Sequence, residues 1–114
     1  MIFVIDDDVV MAKLIADATK KKTRIFSNAI EAISALDDGL PDLIFLDILL
    51  TGPDGFTFLN ELISYSDTAK IPIVIVSSLD FSNRDLSVYG VVGTLNKDTM
   101  TPKEIKGFAD EYAK

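Results

Sequence analysis

The sequence predicts an α/β domain, in which the strands of one parallel sheet alternate with helices that cover both of its faces. Short apolar runs, each followed by a stretch with helical spacing, recur five times along the 114 residues. The central run, residues 43–46, is apolar without a break, which is typical of a strand buried on both faces. Polar residues follow these runs directly, at the edge where open α/β sheets bind ligands. Such alternation implies right-handed crossover connections and a layered sheet.

The composition limits both the number of domains and the chemistry. A chain of 114 residues with 48% hydrophobic residues suits one compact unit, and we expect a single domain over residues 1–114. Cys and His are both absent, which excludes a disulfide framework, a thiol nucleophile and a phosphohistidine carrier. The net charge of −7, without a basic patch, argues against direct nucleic-acid binding. With no long apolar run and no signal-peptide pattern, we expect a cytoplasmic protein that does not enter a membrane.

The first apolar run, residues 2–5, ends in three consecutive carboxylates, Asp6, Asp7 and Asp8. Adjacent carboxylates repel one another, so three at a strand end indicate a shared cation. Two other interpretations remain, namely that Asp8 caps the following helix or that one carboxylate is simply solvated. The helix that follows is predicted to bury the face that carries Met11, Leu14, Ile15 and Ala18.

The second unit begins with a brief strand at residues 23–26. Asn28, with Glu31 three residues later, resembles the capping box that begins a helix. This second helix is predicted to bury Ile30, Ile33 and Leu36 before Asp37, Asp38 and Gly39 end it.

The central strand ends at Asp47, where a carboxylate would face a ligand-binding crevice. Taken alone, Asp47 is equally well explained as a polar strand terminus or cap. The Gly-Pro-Asp-Gly sequence at residues 52–55 then turns the chain. A third helix is predicted from about Gly55, with Phe58, Leu59, Leu62 and Ile63 buried.

Two further strands are predicted within residues 71–76 and 91–96. Ser77 follows the first and Lys97 the second, although a hydroxyl at Ser77 is equally suited to satisfy loop backbone. Between these strands, residues 82–89 are predicted to form a weak helix that Gly90 stops. A final helix is predicted from the start signals Thr101, Pro102 and Glu104, with Ile105, Phe108, Ala109 and Tyr112 facing the core.

Parallel strands would bring Asp6, Asp7, Asp47, Ser77 and Lys97 to one crevice. Carboxylates without His or Cys suit a hard cation, and Mg²⁺ is the natural candidate because it also binds phosphate oxygens. Mg²⁺ and a lysine would together neutralise a phosphoryl group, while one carboxylate attacks phosphorus to become an acyl phosphate. The spacing does not decide which carboxylate is the nucleophile.

Four motifs resemble the receiver domains of two-component response regulators, and they cover essentially the whole chain. Each motif alone is weak, but the four in this order and at these spacings are specific. The resemblance implies a flavodoxin-like (βα)5 three-layer sandwich, with a five-stranded parallel sheet in the order 2-1-3-4-5. The motifs are residues 4–8, residues 42–49 with Asp54-Gly55, residues 72–78, and residues 90–97, which end in Asn96-Lys97.

Carried over by motif position, the resemblance makes Asp47 the phosphoacceptor. By the same resemblance, Asp7 would bind Mg²⁺ directly and Asp6 would bind it mostly through water. The backbone carbonyl of Leu49 would be the remaining protein ligand. Ser77 would be the switch hydroxyl, and Lys97 would pair with the phosphoryl group. The implied partners are a histidine kinase or a histidine phosphotransfer protein as donor, and a downstream protein target or effector domain. The chain would therefore be a phosphoacceptor rather than a turnover enzyme.

Three positions depart from the family pattern. The usual prolines are replaced by Thr51 in the loop after the acceptor and by Asp98 after the lysine. In the family, an aromatic switch residue usually lies three residues before the lysine. In this chain that position is Thr94, whose side chain is too small to fill the space of a ring. We therefore predict that phosphorylation is signalled through ordering of residues 79–90 rather than by a ring flip.

Four side chains beyond the ends of the predicted strands bear on the lifetime of the phosphorylated state and on its output. Leu49 and Leu79 occupy the two positions that, in the family, flank the route of attacking water. Because leucines cannot orient a water molecule, we predict slow self-dephosphorylation. Phe81 and Tyr89 are the aromatic residues that could substitute for the missing ring.

Two other functions remain open from the sequence. Residues 5–10 also match the Asp-x-Asp-x-Thr/Val start of haloacid-dehalogenase-type phosphatases, with Ser77 and Lys97 as their second and third motifs. That family needs an acidic pair after a further strand, where this chain has only one helix left, and Asp47 would have no role. The other alternative is a receiver-like interaction module that is not phosphorylated.

Overall fold

The computed structural model of the protein describes residues 1–50, 54–81 and 84–113. Its strands are β1 (Ile2–Ile5), β2 (Thr23–Phe26), β3 (Leu43–Asp47), β4 (Ile73–Ser77) and β5 (Val91–Asn96). Its α-helices are α1 (Val9–Thr19), α2 (Ala29–Ala35), α3 (Gly55–Ile63) and α4 (Pro102–Tyr112). One-turn 3₁₀ helices lie at Leu36–Asp38, Thr68–Lys70 and Ser87–Tyr89.

The five strands form one sheet in the order β2-β1-β3-β4-β5, so the predicted flavodoxin-like strand order is confirmed. In the register of the sheet, Ile2 of β1 lies opposite Thr23 on one side and Leu43 on the other. All four neighbouring pairs are parallel. The carboxyl ends of all five strands therefore meet at one edge of the sheet.

Alternate residues of the three central strands, β1, β3 and β4, enter two separate cores, one on each face of the sheet. Phe3 and Ile5 of β1 pack in the core that α2 and α3 cover. Ile2 and Val4 pack in the core that α1 and α4 cover. Every residue of β1, β3 and β4 is buried, which is why these strands are continuous apolar runs in the sequence.

For two helices, the face that is buried differs from the predicted face by a small rotation about the helix axis. In α1, Leu14 is 48% exposed while Ala12 is fully buried beside Ile15 and Ala18. In α2, Ile30 is 64% exposed, and the buried residues are Ala29, Ala32 and Ala35. Small side chains let a helix approach the sheet closely, so the alanines face the core directly, while Ile33 and Leu36 are half-buried and pack against the same core. Ile63 of α3, also predicted to be buried, is only half-buried.

The weak helix predicted at residues 82–89 is wrong for the part that the structure describes, since residues 84–90 contain only the 3₁₀ turn Ser87–Tyr89. The Asp85 carboxylate accepts hydrogen bonds from the N–H of Ser87 at 3.1 Å and from its hydroxyl at 2.6 Å. Such local bonds compete with helical ones. Gly90 then ends the turn with φ at 81°, a left-handed conformation that favours glycine.

The predicted helix starts at Asn28 and Thr101 are confirmed, and Asp8 acts as a cap, as its alternative interpretation had it, because each side chain accepts backbone N–H groups of its helix. At α4, Thr101 and Glu104 form a complete capping box, and Pro102 occupies the first turn. No helix among the described residues is long and apolar enough to cross a membrane.

Candidate functional site

Three carboxylates converge at the carboxyl edge of the sheet. One oxygen each from Asp6, Asp7 and Asp47 lies within 4.8 Å of the others. Asp6 follows β1 and Asp47 ends the neighbouring β3, and only 2% and 4% of their surfaces are exposed. Asp7 is exposed on the solvent side of the pair. The parallel sheet thus brings together acids that are far apart in the sequence.

Asp6 is the more constrained of the two buried acids. Its Oδ1 accepts a hydrogen bond from the Asp8 N–H at 2.9 Å. Its Oδ2 lies 3.0 Å from the Lys97 ammonium, an ion-pair distance, yet has no partner in hydrogen-bond geometry among the described residues. Burial raises the pKa of the Asp6 carboxyl, and the nearby Asp47 charge adds to this, while the hydrogen bond from Asp8 and the adjacent Lys97 ammonium oppose it. A buried carboxylate oxygen that lacks a hydrogen bond would be stabilised by a bound cation.

Asp47 is held at both oxygens. Its Oδ1 accepts the Leu49 N–H at 3.0 Å, and its Oδ2 accepts a hydrogen bond from the Lys97 ammonium at 3.2 Å. The chain returns to the end of β3 at Gly55, whose N–H donates to the Ile48 carbonyl at 2.9 Å. A Cβ at Gly55 would come within 2.6 Å of the Ile48 Cα, so this close approach requires glycine. Thr51 and the Gly52-Pro53 half of the predicted turn lie outside the described residues.

Lys97 joins the two buried acids. Its ammonium lies 3.0 Å from Asp6 and 3.2 Å from Asp47, and its side chain is 17% exposed. Burial by itself would lower the pKa of Lys97, but the two carboxylates outweigh burial and raise it. Its backbone N–H donates to the Ser77 carbonyl at 3.0 Å, which fixes the chain beside β4. The side chain is therefore a fixed, charged ammonium.

Ser77 is almost fully buried at the end of β4. Its Oγ accepts a hydrogen bond from the Leu79 N–H at 3.1 Å, so it satisfies loop backbone. In the register of the sheet, Asp47 pairs with Val76, and Ser77 is one residue further along. The hydroxyl thus ends the strand next to the one that carries Asp47.

The donor set is suited to Mg²⁺. Three carboxylates, without Cys or His, offer hard oxygen ligands. Asp6, one of whose oxygens lacks a hydrogen bond among the described residues, belongs to this set. Leu49, whose N–H binds Asp47, belongs to the same turn. The residues present therefore fit a cation that also takes water and phosphate oxygens as ligands.

Four exposed aliphatic residues follow the same strand ends in the sequence. Val9 and Val10 begin α1 directly after the acidic run, while Leu49 and Leu79 each lie two residues beyond a strand end, and all four are more than half exposed. We call these four residues the apolar rim. Sequence analysis identified the two leucines but missed the valines, although two apolar residues at the first, solvent-facing positions of a helix are a detectable signal. An apolar rim around a charged site is typical of a surface that binds another protein.

Comparisons with known proteins agree on one family. The family model described as response regulator receiver domain matches residues 2–107. Response regulator PleD of Caulobacter vibrioides is 38% identical over 69 residues, which are 60% of this chain and 15% of PleD. Protein-glutamate methylesterase/protein-glutamine glutaminase 3 of Geobacter metallireducens is 28% identical over 112 residues, which are 90% of this chain and 31% of that protein.

A solved structure matches the chain over almost its full length. The receiver domain of NtrX from Brucella abortus has a TM-score of 0.84 and 27% sequence identity, over 98% of this chain and 97% of that one. By contrast, the chain spans less than a third of the length of PleD and of the methylesterase. The similarity therefore concerns one domain within those longer proteins.

Proposed function

The chain belongs to the response regulator receiver domain family of two-component signalling, and from this we propose that Asp47 accepts a phosphoryl group. The donor is the phosphohistidine of a histidine kinase or of a histidine phosphotransfer protein. Residues 1–114 act as a single cytoplasmic receiver domain, a phosphoacceptor rather than a turnover enzyme. The phosphorylated domain then acts on a downstream protein target or effector domain.

The observation that carries this proposal is the setting of Asp47. It is a buried carboxylate at the carboxyl edge of the sheet, with Leu49 N–H on one oxygen and the Lys97 ammonium on the other. An Asp47 oxygen forms a bond to phosphorus, and the donor's P–N bond breaks with its electron pair leaving on the imidazole. The fixed ammonium of Lys97 stabilises the added negative charge of the phosphoryl group.

Asp6, Asp7 and Asp47, with the Leu49 backbone carbonyl, are the residues that would hold Mg²⁺. A bound Mg²⁺ neutralises part of the charge on the phosphoryl oxygens. The Asp6 carboxylate is buried, with the Asp8 N–H on one oxygen and the Lys97 ammonium at ion-pair distance from the other, whereas Asp7 is exposed. Asp7 on the exposed side is therefore the more suitable direct ligand, and Asp6 acts mostly through water.

Ser77 and the apolar rim are assigned to response and docking. Ser77 Oγ lies beyond Asp47 in the register and rotates to donate a hydrogen bond to the phosphoryl group. The apolar rim offers the donor protein a desolvated contact around the reacting carboxylate. This contact supports phosphoryl transfer from a protein.

Labelling by acetyl phosphate tests the assignment of Asp47. With Mg²⁺, intact-mass spectrometry should show one added phosphoryl group on the wild-type protein and none on Asp47→Asn. Asp38→Asn, an equally conservative change at an exposed carboxylate, is the control that should keep full labelling. Undiminished labelling of Asp47→Asn would refute the acceptor. Absence of labelling in the wild type would favour a module that is not phosphorylated, and steady hydrolysis of a phosphomonoester would indicate a phosphatase.

A further inference from the structure

Lys97 reaches across the carboxyl edge of the sheet from its outermost strand. It follows β5, yet its ammonium lies 3.2 Å from Asp47 of β3 and 3.0 Å from Asp6, which follows β1. In the strand order, β4 lies between β5 and β3, and β1 is one strand further. Neighbouring strands are about 4.8 Å apart, so the four-carbon stem of a lysine spans these distances only if its backbone leans over the end of β4. Both contacts therefore depend on where the backbone at Lys97 is held.

The backbone that leads into Lys97 is held by β4. Strand β5 pairs with β4 as far as Asn96, which lies opposite Ser77 in the register. The Lys97 N–H then donates to the Ser77 carbonyl at 3.0 Å. Beyond this point the strand has ended, and Asp98 and Thr99 are exposed. The segment between Lys97 and the start of α4 is therefore not supported by pairing in the sheet.

Asn96 supports that segment instead. Its side-chain Oδ1 accepts the Asp98 N–H at 2.8 Å. Its backbone carbonyl accepts the N–H groups of Thr99 at 3.2 Å and of Met100 at 2.8 Å. The N–H groups that follow Lys97 thus bind to the residue that precedes it, so the chain turns tightly around the lysine. Met100 packs against the core that α1 and α4 cover, which anchors the far end of this turn.

The bond from Asp98 is the part of the turn that depends on the type of side chain. Every residue has a carbonyl, but a side-chain acceptor for the N–H two residues further on requires a short polar residue such as Asn or Asp. Position 98 must in turn supply an N–H, which a proline would lack. Asn96 and Asp98 are therefore matched to each other, and together they restrict the backbone on both sides of Lys97.

An asparagine at the end of a strand often serves only to form a turn. Here the turn contains Lys97, whose side chain is 17% exposed and whose ammonium joins two buried carboxylates. A change in the turn would therefore displace a charged group at the site rather than a solvated loop.

We propose that Asn96 is a positioning residue for phosphoryl transfer, which acts by holding the backbone that aims the Lys97 ammonium at Asp47. The inference rests on the proposed function, in which this ammonium stabilises the added charge of the phosphoryl group. Without the Asn96 side chain, Lys97 keeps its charge, but its ammonium spends less of the time where that charge is needed. The role is indirect because it is exerted through Lys97.

Rates of labelling by acetyl phosphate and Mg²⁺ test this role. Asn96→Leu keeps the size of the side chain without the acceptor, and it should slow labelling about fivefold, the effect of one hydrogen bond. The double variant Asn96→Asp, Asp98→Asn keeps both the acceptor and the net charge, so its rate should match that of the wild type. Asn60→Leu, the same change at an exposed position of α3, should also match it. A wild-type rate for Asn96→Leu, or an equally slow double variant, would overturn the inference.

Calorimetric titration with Mg²⁺ separates the positioning of Lys97 from damage to the site. An ammonium that is less firmly aimed competes less with the ion for Asp6 and Asp47. Asn96→Leu should therefore bind Mg²⁺ as tightly as the wild type, or more tightly, although it is labelled more slowly. Distortion or unfolding of the carboxyl edge would instead weaken Mg²⁺ binding together with labelling, and such a parallel loss would overturn the inference.

The same labelling experiment keeps this inference distinct from the proposed function. If the wild type is labelled and Asn96→Leu is labelled at the same rate, only the role of Asn96 is refuted. If the wild type is not labelled at all, the proposed function is refuted, and the inference that rests on it fails as well.

Discussion

The carboxyl edge of the sheet and the connection between β4 and β5 differ in how firmly their side chains are held. At the edge, each buried carboxylate has two partners. In the connection, only two side chains among the described residues are buried in the core. Asp6 and Asp47 each have a backbone N–H on one oxygen and the Lys97 ammonium beside the other. In residues 78–81 and 84–90, Phe81 and Leu86 are the buried residues, and a cavity lies behind the ring of Phe81. One region is fixed by charge and hydrogen bonds, and the other is loosely packed.

The difference teaches how a small domain divides two tasks. Phosphoryl transfer requires the acceptor and its charged partners in a fixed geometry before the reaction. A response requires a segment with two arrangements of nearly equal free energy, so that a small local change shifts the balance. The first region has the fixed groups that the former would require, and the second, with two buried side chains among its described residues, is the region that we expect to serve the latter. Each prediction below tests one side of this contrast.

The largest effect is expected from removal of a metal ligand on the fixed side. Asp7→Asn should weaken Mg²⁺ binding by well over tenfold, because a direct carboxylate ligand loses its charge. Asp6→Asn should weaken it less, since the buried Asp6 is proposed to act on the ion mostly through water. Calorimetric titration measures both, with Asp38→Asn as the control at an exposed carboxylate. If Asp6→Asn weakened Mg²⁺ binding much more than Asp7→Asn did, Asp6 rather than Asp7 would be the direct ligand.

An intermediate effect is expected at the apolar rim, where the two regions meet. Leu49 and Leu79 are both more than half exposed beside the site and offer no group that orients a water molecule. The double variant Leu49→Asn, Leu79→Glu should release phosphate roughly tenfold faster, which corresponds to about 1.4 kcal/mol in the barrier. Val10→Asn, at the same rim but on α1, should leave the rate unchanged. Unaltered decay of the double variant in a phosphate-release assay would count against shielding.

The smallest effect is expected in the backbone of the loosely packed side. With Mg²⁺ and beryllofluoride, amide hydrogen exchange should slow across residues 79–90 as the connection becomes ordered. Leu79 itself should be the exception, because its N–H loses the Ser77 hydroxyl as acceptor. Amides of β1, already buried in the sheet, should remain unchanged. A response confined to α1, with no change in residues 79–90, would contradict this contrast between the two regions.

Much of the sheet could be predicted from the sequence because its signals are local. Each fully buried strand is an unbroken apolar run, and each run is followed by the polar residue that the parallel sheet brings to the edge. Asp8, Asn28 and Thr101 marked helix starts for the same reason, since a cap acts within three residues of itself. The roles of Asp47, Asp7 and Ser77 remain predictions that the labelling and binding experiments test.

By itself, the sequence determined the strands, their order through the family resemblance, and the residues that meet at the carboxyl edge. Only the tertiary structure decided that alanines rather than Ile30 face the sheet from α2, and that residues 84–90 form one 3₁₀ turn. It alone showed that Ser77, Phe81 and Thr94 line one small cavity. The physical reason is that strand patterns and caps depend on neighbours in the chain. The face that a helix buries, and the space left beside a ring, depend on side chains that are distant in the sequence.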